Sequence, residues 1–210
     1  MRQNTVRLGY VSASIAFIAT LGFGIAQLLQ VAGVLHYPLD EILIYAFSFC
    51  ISVPLLVSLN VLHEFVSDNR KTWSRIAISL AICYVVFAAM VYTVQLAVVL
   101  PKSHETASSQ VLILSPHSLF WMLDGLAYLF MGLAVLFLIP ALLGDHQAKL
   151  LRLFFLAHGL MTPVVVLEYI YPDFSIMLLF LASPWIISAC GSWLLMALYF
   201  RKKLRDTQTT

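Results

Sequence analysis

A chain of 210 residues that is 61% hydrophobic and 10% charged has too little polar surface to cover a water-soluble fold, in which about 25% of residues carry charge. Its mean hydropathy of +0.93 places it among polytopic membrane proteins. The apolar runs are continuous rather than alternating with a period of two, which excludes a β-barrel, and the small net charge of +2, with no basic patch interleaved with aromatics, excludes nucleic acid as a partner.

The predicted fold class is all-α, one domain spanning residues 1–210, a bundle of six transmembrane helices. The first apolar run follows Arg2 and Arg7 and extends over about 22 residues, longer than the roughly 7–15 of a signal peptide. It is read as helix 1, Leu8 to Leu35, with Gln27 and Gln30 near its far end. Tyr37-Pro38 opens a turn to helix 2, Glu41 to Phe65, whose Glu41, Tyr45, Ser48, Ser52, Leu59 and His63 share one face. A charged connection around Asp68, Arg70 and Lys71 leads to helix 3, Ser74 to Leu100. Tyr84, Ala88, Tyr92 and Gln95 form its polar stripe.

The third connection is the longest and carries Lys102, His104, Glu105, Ser108 and Ser109. It ends in an apolar run, Val111 to Leu114, suited to a membrane interface. Helix 4, His117 to Leu143, places His117, Trp121, Asp124 and Tyr128 on one face, because they are spaced by four, three and four. Gly144, Asp145 and His146 turn the chain into helix 5, Lys149 to Tyr171, with His158, Pro163 and Glu168. Pro172, Asp173 and Phe174 lead to helix 6, Ser175 to Phe200, interrupted by Pro184 and followed by a basic tail. The likeness of Tyr37-Pro38 and Tyr171-Pro172 fits a remnant of a repeated hairpin or, more simply, proline's habit of ending helices.

Eleven of the 12 Lys and Arg residues fall on the side that holds both termini; only Lys102 falls opposite. The positive-inside rule therefore predicts cytoplasmic termini in a plasma membrane, of the bacterial inner-membrane type, with Ser108 reachable from outside and Asn69 not.

Helix rise then sets depth. Asp124 lies roughly 10 Å inside the outer end of helix 4, and Tyr92 and Gln95 lie at a matching depth in helix 3. Gln27, Tyr45 and Glu168 fall in the same outer band. A carboxylate costs about 2.5–3.5 kcal/mol to insert at the centre of a membrane helix, so such residues face a bundle interior or a wet cavity. No Lys or Arg shares its depth. The expected site is an outward-facing polar cavity floored by Asp124, with Tyr92, Gln95, Trp121, Tyr128, Gln27, Tyr45 and Glu168, and with His158 deeper. Tyr92 and Gln95 are expected within hydrogen-bond reach of Asp124.

Enzyme templates fit poorly. His63, His117 and His158 lie at different depths, so they cannot pair as haem ligands. No His-x-x-x-His pair suggests a metal, and no cofactor is expected. There is no Gly-x-Ser-x-Gly elbow. Cys50, Cys83 and Cys190 read as small buried apolar residues. Gly22 with Gly24, and Gly125 with Gly132, allow close helix approach, within the chain or in a homo-oligomer. The carboxylate-floored polar band with no compensating base points to a non-enzymatic carrier or receptor for a small neutral-to-cationic or amphiphilic ligand. The alternatives are a non-catalytic packing or assembly subunit and an intramembrane lipid-modifying enzyme. Membrane lipids are the surrounding partner in each case.

Overall fold

The computed structural model describes residues 2–102, 111–173 and 175–206. His104, Glu105, Ser108, Ser109 and Phe174 lie outside the described residues. Among the described residues the chain is helical, with no strand. Six stretches are long and apolar enough to cross a membrane.

The first is α1 (Arg2–Val31), which begins more than a turn earlier than the expected Leu8 and stops before the expected Leu35. Gly33 adopts a left-handed φ of 68°. That conformation lets its N–H reach Gln30 O and the Val34 N–H reach Leu29 O, both at 2.9 Å, closing the helix. Next, α2 (Leu39–His63) starts after Pro38 with Asp40 and Glu41 in its first turn, where acidic groups complement the helix dipole. The third span is α3 (Lys71–Val94), extended by a wider π-helical stretch over Gln95–Val99. Then α4 (Leu119–Ala141) is capped by the Ser118 hydroxyl, which accepts from the Trp121 N–H at 3.1 Å. His117 precedes this cap with a left-handed φ of 66°, so it is exposed and is not part of the helix face predicted for it. The fifth span is α5 (Lys149–Ile170).

The sixth span is broken in two, α6 (Ile176–Ala182) and α7 (Pro184–Asp206), with Ser183 between them. Pro184 has no N–H to continue the ladder. The Ser183 hydroxyl instead donates to Phe180 O at 2.7 Å, which seals the end of α6.

Each helix packs on the next in chain order, and α7 returns to pack along α1, so the helices close into a ring. A ring has an inside and an outside. Large apolar side chains point outward, among them Ile18, Val53, Val86, Leu160 and Ile187, each at least half exposed. An apolar belt of this extent suits hydrocarbon rather than water. Cys50 joins this outer face, contrary to the buried position expected of it, whereas Cys83 and Cys190 are half-buried.

The two halves of the interior differ. Toward the end that holds both termini (the terminal end) the ring is filled by Leu59, Leu62, Leu138, Phe155, Trp193, Met196 and Phe200, all almost fully buried. Toward the opposite, distal end it is hollow. The glycines set how closely the walls stand. A Cβ at Gly132 of α4 would overlap Thr162 of α5, and one at Gly24 of α1 would lie 2.6 Å from Ile186 of α7. These close approaches are therefore used within the chain.

The terminal end is tied by Asp145, in the connection between α4 and α5. It accepts from the Gln147 N–H at 2.8 Å and from the Tyr199 hydroxyl at 2.9 Å, with Lys203 at 3.6 Å. Partial burial pushes this carboxyl up, but the Tyr199 and Gln147 hydrogen bonds and the Lys203 charge outweigh it and hold it below its ordinary 3.8. A depressed carboxylate stabilises the fold above its unfolded pKa and loses that contribution as pH falls through the folded value. Asp145→Asn should therefore melt below wild type at neutral pH. The gap should close on acidification below the ordinary carboxylate range, as measured by thermal denaturation across pH.

Candidate functional site

Asp124 sits on the inward face of α4, 5% exposed. Both its oxygens are held. The Tyr92 hydroxyl of α3 donates to Oδ1 at 2.6 Å, and the Tyr169 hydroxyl of α5 donates to Oδ2 at 2.7 Å. The neighbouring glycine makes the second bond possible. A Cβ at Gly125 would lie 2.7 Å from the Tyr169 ring, so only glycine lets that ring lie flat against α4. The Trp121 indole N–H then fixes α5 from the same helix by donating to Tyr169 O at 3.1 Å.

Around this carboxylate the rings form a series of contacts and a separate stacked pair. Trp121 and Tyr169 centroids are 4.6 Å apart, and Tyr128 and Tyr169 are 5.8 Å apart. Tyr128 meets Trp185 of α7 edge-on at 4.9 Å, and Tyr45 of α2 stacks on Tyr92 at 6.2 Å. Phe23 of α1 extends the series against Trp185 at 6.1 Å. Contacts of this kind fix ring orientation beyond what burial alone does.

The rings enclose a cavity of about 400 Å³ that opens toward the distal end. Asp124, Tyr92, Trp121, Tyr128, Gln27, Tyr45 and Glu168 all line it. Glu41 and Glu168 stand half-buried in its wall, and no Lys, Arg or His is among the lining residues. The Ser48 hydroxyl also lines it. It is 3% exposed and has no hydrogen-bond partner among the described residues. At the mouth, the Gln30 amide donates to Asp40 Oδ2 at 2.8 Å and joins α1 to α2.

Two expected members are elsewhere. Gln95 does not reach Asp124. It lies in the π-helical stretch, donates to Leu112 O at 2.7 Å and accepts from the Leu114 N–H at 3.1 Å. It thus clamps the apolar run at the end of the third connection, and Leu114 enters the cavity wall. His158 lies below the cavity, fully buried between Trp185 and Trp193 with both ring centroids 5.6 Å away. Neither of its nitrogens has a partner among the described residues.

Many lining residues are missing from the sequence-derived site, among them Tyr169, Trp185, Phe23, Phe180 and Glu41. The adjacent Glu168 and the close-approach Gly125 are the only sequence signals that point toward Tyr169.

The chemistry available is recognition of positive charge. Ring faces and carboxylates attract a cation, and no cation of the protein competes inside the cavity. Among the described residues no group of three His, Cys, Asp or Glu is placed to hold a metal ion. Comparison with known protein families, with curated proteins and with solved structures finds no match to this chain, so the functional argument rests on the site.

Proposed function

We propose that the protein is a multi-pass protein of the plasma membrane, of the bacterial inner-membrane type, with both termini cytoplasmic. In this reading it binds a small neutral-to-cationic or amphiphilic molecule in the cavity at Asp124, as a carrier or receptor. The observation that carries the reading is the cavity itself: an aromatic-walled volume of about 400 Å³ with Asp124, Glu41 and Glu168 in its wall and no lining base. Ligand pockets generally run from about 300 to 1,000 Å³ and are mostly apolar with a few placed polar groups. A packing or assembly subunit would need the bonds from Tyr92 and Tyr169 to Asp124, but it would not need an aromatic-walled cavity beside them.

Binding is tested with tetramethylammonium as probe and benzoate as the anionic control, on protein in lipid nanodiscs. The cation should raise the melting temperature in a saturable way and benzoate should not. Stabilisation by benzoate alone, or by neither ion, contradicts the reading.

Orientation is tested separately. Cys50, Cys83 and Cys190 are first replaced by serine, and single cysteines are then placed at His117 and at Asn69, both exposed in the connections. A membrane-impermeant thiol reagent added outside cells should label position 117 and spare position 69. The reverse pattern would invert the topology.

A further inference from the structure

We infer that the ligand is a single-chain amphiphile, with an alkylated ammonium head against Asp124 and the aromatic rings and an alkyl tail that leaves the cavity sideways between α1 and α6. The inference rests on the cation-binding reading of the cavity and goes on to name the ligand's class and its route.

The head follows from hydrogen-bond supply. Each Asp124 oxygen already accepts a tyrosine hydroxyl. That leaves one lone-pair site on each oxygen, so at least one of a primary ammonium's three N–H donors would have to find an acceptor elsewhere in a mostly apolar cavity. An alkylated ammonium brings few or none, and its charge is spread over methyl groups that pack on Tyr128, Tyr169 and Trp185. The unpartnered Ser48 hydroxyl shows that the cavity still has hydrogen-bonding capacity for a polar part of an occupant.

The tail follows from the wall. Leu28 and Val31 of α1 and Phe180 of α6 line the cavity, yet they are 65%, 46% and 61% exposed on the outer surface. The wall there is one side chain thick and apolar on both faces. It is thin because the chain breaks at Ser183-Pro184. Beyond the break α6 packs on α5, while α1 keeps its packing with α2 and α7. Outside this wall stand Ile25, Met177 and Leu181, all at least half exposed. An alkyl chain leaving between these lips meets apolar surface throughout, and the lips lie at the depth of the membrane spans.

The test compares dodecyltrimethylammonium, below its micellar concentration, with tetramethylammonium and dodecyl sulfate. Binding to protein in nanodiscs is measured by calorimetry, with protein-free nanodiscs subtracted. Dodecyltrimethylammonium should bind at least about tenfold tighter than tetramethylammonium, since burying two methylenes already supplies that factor. Val31→Trp, at an exposed helix end, should bring the ratio of the two affinities toward unity, and Leu28→Trp should do the same. Equal affinities in wild type would overturn the tail route while leaving the cation site standing. So would a ratio unchanged in both tryptophan variants. Dodecyl sulfate binding as tightly as the ammonium would overturn the head. No binding of either ammonium ion would overturn the cavity reading and this inference together.

Discussion

Asp124→Leu is expected to abolish binding of small cations while destabilising the fold by no more than about 4 kcal/mol, because the opposing effects partly cancel. Loss of the carboxylate leaves the Tyr92 and Tyr169 hydroxyls without an acceptor, and a buried unpaired hydroxyl costs about 1–3 kcal/mol. The same change removes a carboxylate whose insertion costs about 2.5–3.5 kcal/mol. Nothing offsets the loss on the binding side. Removing one partner of a desolvated charge pair costs about 2–5 kcal/mol, or a thirtyfold to several-thousandfold rise in Kd. Asp124→Asn should keep one tyrosine hydroxyl as a donor to its amide oxygen and donate from its amide nitrogen to the oxygen of the other, whose hydroxyl turns away, and so should fold nearly as well as wild type with binding equally lost. Thermal denaturation and calorimetry on the two variants check both statements. If Asp124→Asn unfolds the protein as severely as Tyr92→Phe with Tyr169→Phe, the carboxylate is a structural tie.

A large stability effect is expected at Gly132. A Cβ there would occupy the space of the Thr162 side chain. Thr162 has little room to yield. It is β-branched, 4% exposed, and its hydroxyl faces the His158 carbonyl at 3.4 Å. The backbones of α4 and α5 must therefore separate, and overpacking of this kind costs about 1–3 kcal/mol, with Gly132→Val at or above the upper end. Separation would also draw Tyr169 away from Asp124, so the cation response should weaken in parallel. Thr162→Gly in the same chain should restore much of both. If Gly132→Ala melts like wild type, the helices stand further apart than described here.

The spans were legible because each is a long apolar run, and a helix that is apolar all round needs no periodicity to be found. Their ends were less so. The apolar Val34 and Leu35 extend the first run, yet Gly33 takes the left-handed turn that ends α1. His117 sits at helical spacing from Trp121, but Ser118 is the stronger cap and leaves His117 outside. Depth correctly joined Tyr92 to Asp124 because α3 and α4 are neighbours. It failed for Gln95, since the π-helical stretch and the returning chain at Leu112 to Leu114 offer nearer backbone partners. Tyr169 and Trp185 were hidden for a different reason. Their place depends on α5 and α7 closing the ring onto α4 and α1, and that pairing leaves no mark in local sequence. Nor does a volume: the cavity exists because the distal interior is lined by rings that lean on one another rather than fill the middle.

The most direct test of the cation site is native mass spectrometry of the protein released from nanodiscs, titrated with tetramethylammonium beside the Asp124→Leu variant. The wild-type protein should show a single one-to-one adduct that saturates, and Asp124→Leu should show none at the same concentrations. Adducts of equal intensity in the two proteins, or none in either, would contradict a cation site at Asp124.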